Sequence, residues 1–272
     1  MAYVSIMVAV DDGRHAPERI RLAADLAQRF GARLIGTAAC LPDYPHGYGE
    51  TAAPMGMVIE KIRQATLETL ARAERVFQAA SSHNDRVSWR SDLADFALFL
   101  NGQSRAADLL VLGRSTDQDG AMHRMAIGLG DVLIGSGRPV LVVPPGIEHL
   151  DAKRVVLGWK NTPQTRRSIS DAMPILRRAE SVLVMRVADD DDYRGIEDVA
   201  EYLSLHDVNA TTRTTATSGW TVAEELQKAA IETNADLIVT GAYGHTRLRE
   251  WFLGGVTRDL LAGSSVCCLM SH

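Results

Sequence analysis

Short apolar runs alternate with longer amphipathic stretches along the whole chain. Runs such as VVLGW, SVLVM and DLIVT are almost wholly apolar, which is typical of strands covered on both faces in a parallel sheet. The pattern predicts strands at 4–10, 33–39, 86–91, 108–112 and 139–143, then at 153–159, 181–187, 210–216, 236–240 and 266–270. Between them it predicts helices at 16–30, 57–82, 93–104 and about 122–135, then at 163–177, 193–206, 220–233 and about 255–262.

The second half of the chain repeats the first. The segments AADLLVLG (106–113) and NADLIVTG (234–241) match at five of eight positions with an offset of 128, and residues 4–12 align with 153–161 at an offset of 149. The extra residues of the first half fall in and after the Pro- and Gly-rich segment 41–56, which predicts a long loop. The fold class is therefore α/β, with two tandem doubly wound parallel five-stranded sheets, in domains 1–147 and 148–272 joined by the linker 144–153.

Composition narrows the class of protein. The 272 residues are 46% hydrophobic and 23% charged, with a net charge of -5 and no long Lys/Arg run, so we expect neither a nucleic-acid nor a membrane partner. The N-terminal apolar run breaks at Asp11, too early for a signal peptide. Cys40, Cys267 and Cys268 form no C-x-x-C pair. These features predict a reduced, cytoplasmic protein with structural cysteines.

Ligands of doubly wound sheets bind at the carboxyl ends of strands, so the loop after strand 236–240 is the main candidate site. Gly241 is expected to take a positive φ, Gly244 to let backbone approach a ligand, and Gly254 and Gly255 to begin a helix whose free N–H groups attract an anion. The candidate nucleotide- or anion-binding residues are Gly241, Ala242, Gly244, His245, Arg247, Gly254, Gly255, Val256, Thr257 and, from the loop after the sixth strand, Lys160. Tight turns beside a solvated basic face are the alternative interpretation.

The spaced glycines resemble those of the universal stress protein family, in which Gly, two residues, Gly, nine residues and Gly precede Ser or Thr. Gly241, Gly244 and Gly254 match, whereas Gly255 lacks the hydroxyl. The resemblance covers the chain as two copies and implies ATP as the ligand, with an Asp at the end of the first strand meeting its adenosine end.

The two copies divide this motif between them. The first has Asp11 and Gly113 but places Thr116, Ala126 and Ile127 at the other glycine-loop positions, so its site is degenerate. The second keeps the glycines but has Lys160 at the Asp position. One lost hydrogen bond to a charged group costs about 1.5–3 kcal/mol. The sequence therefore predicts a ligand in the second half, which is either weakly bound ATP or another anion.

No motif for catalysis or metal binding is present: the chain lacks a dinucleotide fingerprint, a P-loop, a nucleophile elbow and zinc-ligand spacing. We therefore predict no catalytic residues and no metal, and interpret the acidic run 188–195 as a solvated loop. Three functions stay open: a nucleotide-responsive stress protein, a scaffold acting through its surfaces, and a slow ATP hydrolase using His245. The resemblance also implies that the last strands of the two halves, 139–143 and 266–270, pair as an intramolecular pseudo-dimer. A homodimer of chains is left open.

Overall fold

The chain forms one sheet covered by helices. The structure, a computed structural model, describes residues 2–44, 52–114, 128–188, 195–216, 219–243 and 255–272, of which only the backbone is described for 52–55. The first half contains β1 (Ser5–Ala9), α1 (Ala16–Phe30), β2 (Arg33–Ala39), α2 (Ala52–Ala80), β3 (Val87–Asp92), α3 (Phe96–Gln103), β4 (Leu109–Gly113), α4 (Leu129–Gly135) and β5 (Val140–Val143). The second contains β6 (Arg154–Gly158), α5 (Pro163–Leu176), β7 (Ser181–Val187), α6 (Ile196–Leu205), β8 (Ala210–Thr215), α7 (Val222–Thr233), β9 (Leu237–Gly241), α8 (Gly255–Gly263) and β10 (Cys267–Ser271).

The two predicted sheets join into one sheet of ten strands. Its order is β3-β2-β1-β4-β5-β10-β9-β6-β7-β8, and the strands of each half run parallel to one another. At the centre β5 pairs antiparallel with β10, with Val142 opposite Cys268 and Val140 opposite Met270. The predicted pairing of the last strands is thus confirmed, and it covers two apolar edges at once.

The helices lie on both faces of the sheet, as the apolar strands predicted. In each half the chain steps outward through three strands and then crosses back, so right-handed connections put α1 and α2 on one face and α3 and α4 on the other. The observed packing of α1 on α2, of α3 on α4 and of α7 on α8 agrees with this arrangement. Strands β4, β5, β9 and β10 are buried along nearly their whole length.

Helix starts differ from the prediction where a local signal was misjudged. Helix α2 begins at Ala52 rather than 57, inside the segment predicted to be a loop. Pro54 is compatible with this start, because the N–H groups of a first turn have no intrahelical acceptor. Helix α3 begins only at Phe96, because the Asp95 carboxylate caps it by accepting a hydrogen bond from the Leu98 N–H at 2.9 Å.

Among the described residues, no helix is both long and apolar enough to cross a bilayer.

The cysteines contribute to the core. Cys40, Cys267 and Cys268 are buried thiols outside any disulfide. Burial raises the pKa of the Cys268 thiol to about 11, well above its ordinary value. Such a thiol stays protonated and inert near neutral pH, which fits the structural role predicted for it.

Candidate functional site

Strand order reverses once in each half, between β1 and β4 and between β6 and β9. Beyond the carboxyl ends of such a strand pair the flanking loops diverge and leave a crevice, which is the usual ligand position in this fold class. We call the space beyond β1 and β4 the first crevice and the space beyond β6 and β9 the second crevice. Asp11 and Gly113 lie at the first, and Lys160 and Gly241 at the second.

In the first crevice, both carboxylate oxygens of Asp11 are hydrogen-bonded to residues of its own half. One carboxylate oxygen, Oδ1, accepts a hydrogen bond from the Gly13 N–H at 2.9 Å. The other, Oδ2, lies 2.6 Å from Nη2 of Arg19, whose side chain is only 6% exposed. Each carboxylate oxygen therefore already accepts one hydrogen bond from within the chain.

The guanidinium of Arg19 spans the ends of both strands at this crevice. Its Nε donates to the carbonyl of Ala9, the last residue of β1, at 3.0 Å. On the β4 side it covers Gly113 so closely that a Cβ there would lie 2.8 Å from Cζ of Arg19. Gly113 is thus needed to make room for this arginine.

Arg19 was missed by the sequence reasoning, although a signal was present. It lies on the inward face of α1 together with Ala16, Ile20 and Ala23, all of them buried. A charged residue on the apolar face of an amphipathic helix has to find a buried partner. The first aspartate after β1 was the available carboxylate.

The second crevice is built differently from the first. Its counterpart of Arg19, at the repeat offset of 149, is Ser168. The Ser168 hydroxyl is buried and donates to the Thr165 carbonyl of its own helix at 2.9 Å. The short side chain brings no cation to the ends of β6 and β9.

Gly241 has a different role from the one expected. It still pairs with Ser271 in the sheet, and it is not among the glycines with positive φ, so the predicted left-handed conformation is wrong. Instead, a Cβ at this position would lie 2.6 Å from the Thr165 backbone nitrogen. Gly241 is needed because the first turn of α5 packs directly on the strand end.

The left-handed residue at this turn is Tyr243, with a φ of 57°. Its N–H lies 3.3 Å from the Thr257 hydroxyl of α8, which accepts the hydrogen bond. The N–H of the fully buried Ala242 donates to the Ser271 carbonyl at 2.8 Å. These contacts tie the strand end to α8 and β10, and they already use the first two amides of the loop.

The remaining predicted residues divide into two groups. Gly255, Val256 and Thr257 form the first turn of α8, with Gly255 exposed, Val256 half-buried and Thr257 buried. Lys160 is exposed just beyond β6, next to the buried Trp159. Predicted loop residues that lie outside the described part of the chain are Gly244, His245, Arg247, Arg249 and Gly254.

The start of α8 is a place that favours negative charge. The first N–H groups of α8 have no intrahelical acceptor and lie at the positive end of the helix dipole. Burial, with a smaller contribution from Asp131, raises the pKa of Tyr243, so its phenol stays neutral. Within the described ranges, no three His, Cys, Asp or Glu side chains are grouped so as to hold a metal ion.

This geometry defines a class: an α/β protein in two similar halves, each with a crevice at the ends of its central strands. Residues 152–272 match the sequence profile described as the universal stress protein family. The second half of the chain is thus similar in sequence to the universal stress protein family. The sequence matches no curated protein.

Solved structures extend the likeness to the whole chain. A universal stress protein from Archaeoglobus fulgidus DSM 4304 is 13% identical with a TM-score of 0.68, over 98% of this chain and 97% of its own. A functionally unknown protein from Pseudomonas aeruginosa PAO1 is 13% identical with a TM-score of 0.59, over 99% and 92%. At these identities the likeness shows the shared two-domain fold. A universal stress protein from Archaeoglobus fulgidus in complex with dAMP is 21% identical over 52% of this chain and 98% of its own, with a TM-score of 0.31.

Proposed function

We propose that this protein is a stress-response module that binds a nucleotide or another small anionic ligand in the second crevice, and whose bound state changes its protein partners. The observation that carries the proposal is the contrast between the two crevices. Arg19 contacts Asp11 and Gly113 in the first, whereas its counterpart at the second, Ser168, is uncharged and bonds within its own helix. The family match covers this second half.

The start of α8 supports an anionic group on the ligand. Helix α8 begins at Gly255, where a Cβ would meet nothing within 4 Å, so the backbone there is open to close approach. Free N–H groups and the helix dipole both favour negative charge at such a place. Lys160 adds a positive charge on the neighbouring strand end.

The same residues argue against tight ATP binding. An ammonium group has three donors and no acceptor, so Lys160 cannot accept hydrogen bonds from ribose hydroxyls as a carboxylate would. Gly255 offers no hydroxyl to a phosphate. A missing hydrogen bond to a charged group weakens binding by roughly 10- to 150-fold, so ATP is expected to bind weakly.

The glycine loop provides the first test. A valine side chain at Gly244 should block the approach of backbone to the ligand and reduce the affinity of any bound nucleotide at least about tenfold. Calorimetry would compare the purified protein with Gly244→Val, and Gly56→Val is the matched control because a Cβ at Gly56 meets nothing within 4 Å. Unchanged affinity in Gly244→Val would sink the assignment.

Replacing the lysine tests what the ligand is. If Lys160 faces the sugar of a nucleotide, Lys160→Asp should strengthen ATP binding by about 1–3 kcal/mol, because a carboxylate regains a charge-assisted hydrogen bond. If Lys160 holds a different anion, the same change should abolish binding of that anion through charge repulsion. Calorimetry with ATP and a panel of anionic metabolites separates the two results.

Mass spectrometry of the purified protein under native conditions decides between a binding module and a scaffold. A nucleotide or anion that co-purifies, and that is lost in Gly244→Val, supports the module. Absence of a co-purified ligand, together with no calorimetric signal from ATP or the panel, would favour a scaffold that acts through its surfaces. Release of ADP from added ATP would instead point to a slow hydrolase.

A further inference from the structure

The first crevice is occupied from within. Arg19 places one planar cation between the ends of β1 and β4, where this fold class holds its ligands. Nε contacts the Ala9 carbonyl, Nη2 contacts the Asp11 carboxylate, and Nη1 lies nearest to the place that a Cβ of Gly113 would take. Arg19 is itself only 5% exposed.

We propose that Arg19 is the built-in ligand of the first half: its guanidinium permanently fills the first crevice and thereby restricts the chain to one external ligand, bound in the second. The restriction to one ligand rests on the function proposed above. The occupation of the first crevice by a guanidinium does not, and it can be tested by itself.

The contacts are specific to a guanidinium. Its planar fork directs Nε and Nη2 to two different oxygens at once, which a lysine ammonium on a flexible stem does not reproduce. Its third nitrogen, Nη1, occupies the space beside Gly113, and any Cβ at Gly113 would overlap it. Arg19 and Gly113 are therefore matched to each other.

This pairing also explains the first copy of the motif. That copy has Gly113 although Thr116, Ala126 and Ile127 stand at the other glycine-loop positions. A glycine that served a ligand would be expected together with the other glycines of its loop. A glycine that makes room for Arg19 requires only that α1 carries this arginine. Likewise Asp11 serves the arginine, because both of its oxygens are already bonded within the chain.

Chemical rescue tests the occupation directly. Arg19→Ala should lower Tm by roughly 5–10 °C, because it leaves a partly buried carboxylate without its partner. Guanidinium chloride, far below the concentrations that unfold proteins, should then raise the Tm of this variant, whereas equal concentrations of sodium chloride or urea should not. Arg21→Ala is the control: this arginine of the same helix is 43% exposed in its pair with Glu148, so its loss should cost little and show no rescue.

If guanidinium chloride did not raise the Tm of Arg19→Ala more than sodium chloride or urea does, the proposal would be overturned and Arg19 would be a packing residue. If Arg19→Ala does not fold, its refolding yield is compared in low guanidinium chloride and in urea. A higher yield in guanidinium chloride supports the proposal, and equal yields overturn it. Arg19→Lys, which keeps the charge, should lose more than half of the Tm difference if the fork geometry is required, and full stability in Arg19→Lys would count against the inference.

Photolabelling with an azido-adenine nucleotide tests the restriction to one ligand. Peptides from the second half alone should be labelled in the unaltered protein. Labelling of the peptide that contains Asp11 and Arg19 would overturn the proposal, since the first crevice would then be open. If no peptide is labelled, an adenine nucleotide fails as the ligand of the proposed function, and the guanidinium experiment still decides whether Arg19 fills the crevice.

Discussion

At the scale of single residues, equivalent positions of the repeat serve different neighbours. Gly113 and Gly241 end the fourth strand of their half, β4 and β9, and are related by the offset of 128. The first makes room for the Arg19 guanidinium and the second for the backbone of α5. The sequence predicts both glycines as turn or ligand positions, because a glycine does not indicate which atoms need its space.

Substitution of Gly241 tests this packing role. Gly241→Ala should destabilise the protein by about 1–3 kcal/mol, because the new Cβ would force the first turn of α5 away from β9. Gly255→Ala is the matched control, since a Cβ there meets nothing within 4 Å. Urea denaturation measures both, and equal midpoints for the two variants would refute the packing argument.

At the scale of elements, the linker between the halves is bound along its length by one stripe of α1. Residues 18, 21, 25 and 29 recur at helical spacing, so they lie on one side of the helix. The contacts follow chain order: Glu18 to the Gly146 N–H at 3.0 Å, Arg21 to Glu148 at 3.0 Å, Asp25 to His149 at 3.3 Å, and Arg29 to the Leu150 carbonyl at 2.5 Å. The sequence predicts a short link here, whereas the structure shows residues 146–150 bound to one side of α1. We call this segment the strap.

The strap should respond to pH through His149. Hydrogen bonds that His149 donates to the carboxylates of Asp151 and then of Asp25 raise the pKa of His149 above its ordinary value of 6.5. Since the folded-state pKa is the higher one, these contacts stabilise the fold fully below the unfolded pKa, and their contribution is lost as pH rises through the folded pKa. The effect is modest because the side chain of His149 is 58% exposed.

Thermal unfolding of His149→Gln at about pH 6 and about pH 8.5 measures this contribution. The variant should be less stable than the unaltered protein at the lower pH, and the difference should shrink at the higher pH. His206→Gln is the control, because His206 packs against the ring of Tyr202 in α6. If the Tm difference between the variant and the unaltered protein were the same at both pH values, a titrating contact of His149 in the strap would be contradicted.

At the scale of the whole molecule, contacts across the centre make the two halves one body. The Tyr3 hydroxyl donates to the Asp171 carbonyl of α5 at 2.7 Å. The Asp171 carboxylate accepts from the Ser271 hydroxyl of β10 at 2.7 Å. Arg114, just after β4, donates to the Ala262 carbonyl of α8 at 2.8 Å. These bonds flank the β5–β10 pair and hold its register.

The Asp171 carboxyl offers a test at this junction. Burial raises its pKa, while Ser271 and two arginines oppose the rise. A raised carboxyl pKa means that ionisation costs stability, so this group favours the fold below its unfolded pKa and less so as pH rises through the folded pKa. Asp171→Asn keeps an acceptor for Ser271 without the charge.

The Tm of Asp171→Asn at about pH 7.5 should therefore equal or exceed that of the unaltered protein. Ser271→Ala is the comparison: it removes the donor to the carboxylate and should cost about 0.5–1.5 kcal/mol. A large loss of stability in Asp171→Asn would show that the charge itself, through Arg138 and Arg167, holds the junction.

The sequence by itself determined the elements, their order and the two-copy architecture. Apolar periodicity and the repeat depend on local spacing, so runs such as β9 and helices such as α1 are predicted almost to the residue. The repeat also brings out the candidate positions Asp11, Gly113, Lys160 and Gly241, since equivalent strand ends occupy equivalent places in the fold.

Only the tertiary structure decided what those positions contact. Arg19 reaches Gly113 across 94 residues of chain, and the strap joins α1 to a segment more than a hundred residues away. Such contacts depend on how far a side chain extends across the crevice and on which helix lies above it. Neither quantity has a period along the chain, which is why one glycine of the repeat packs against an arginine and its counterpart against a backbone.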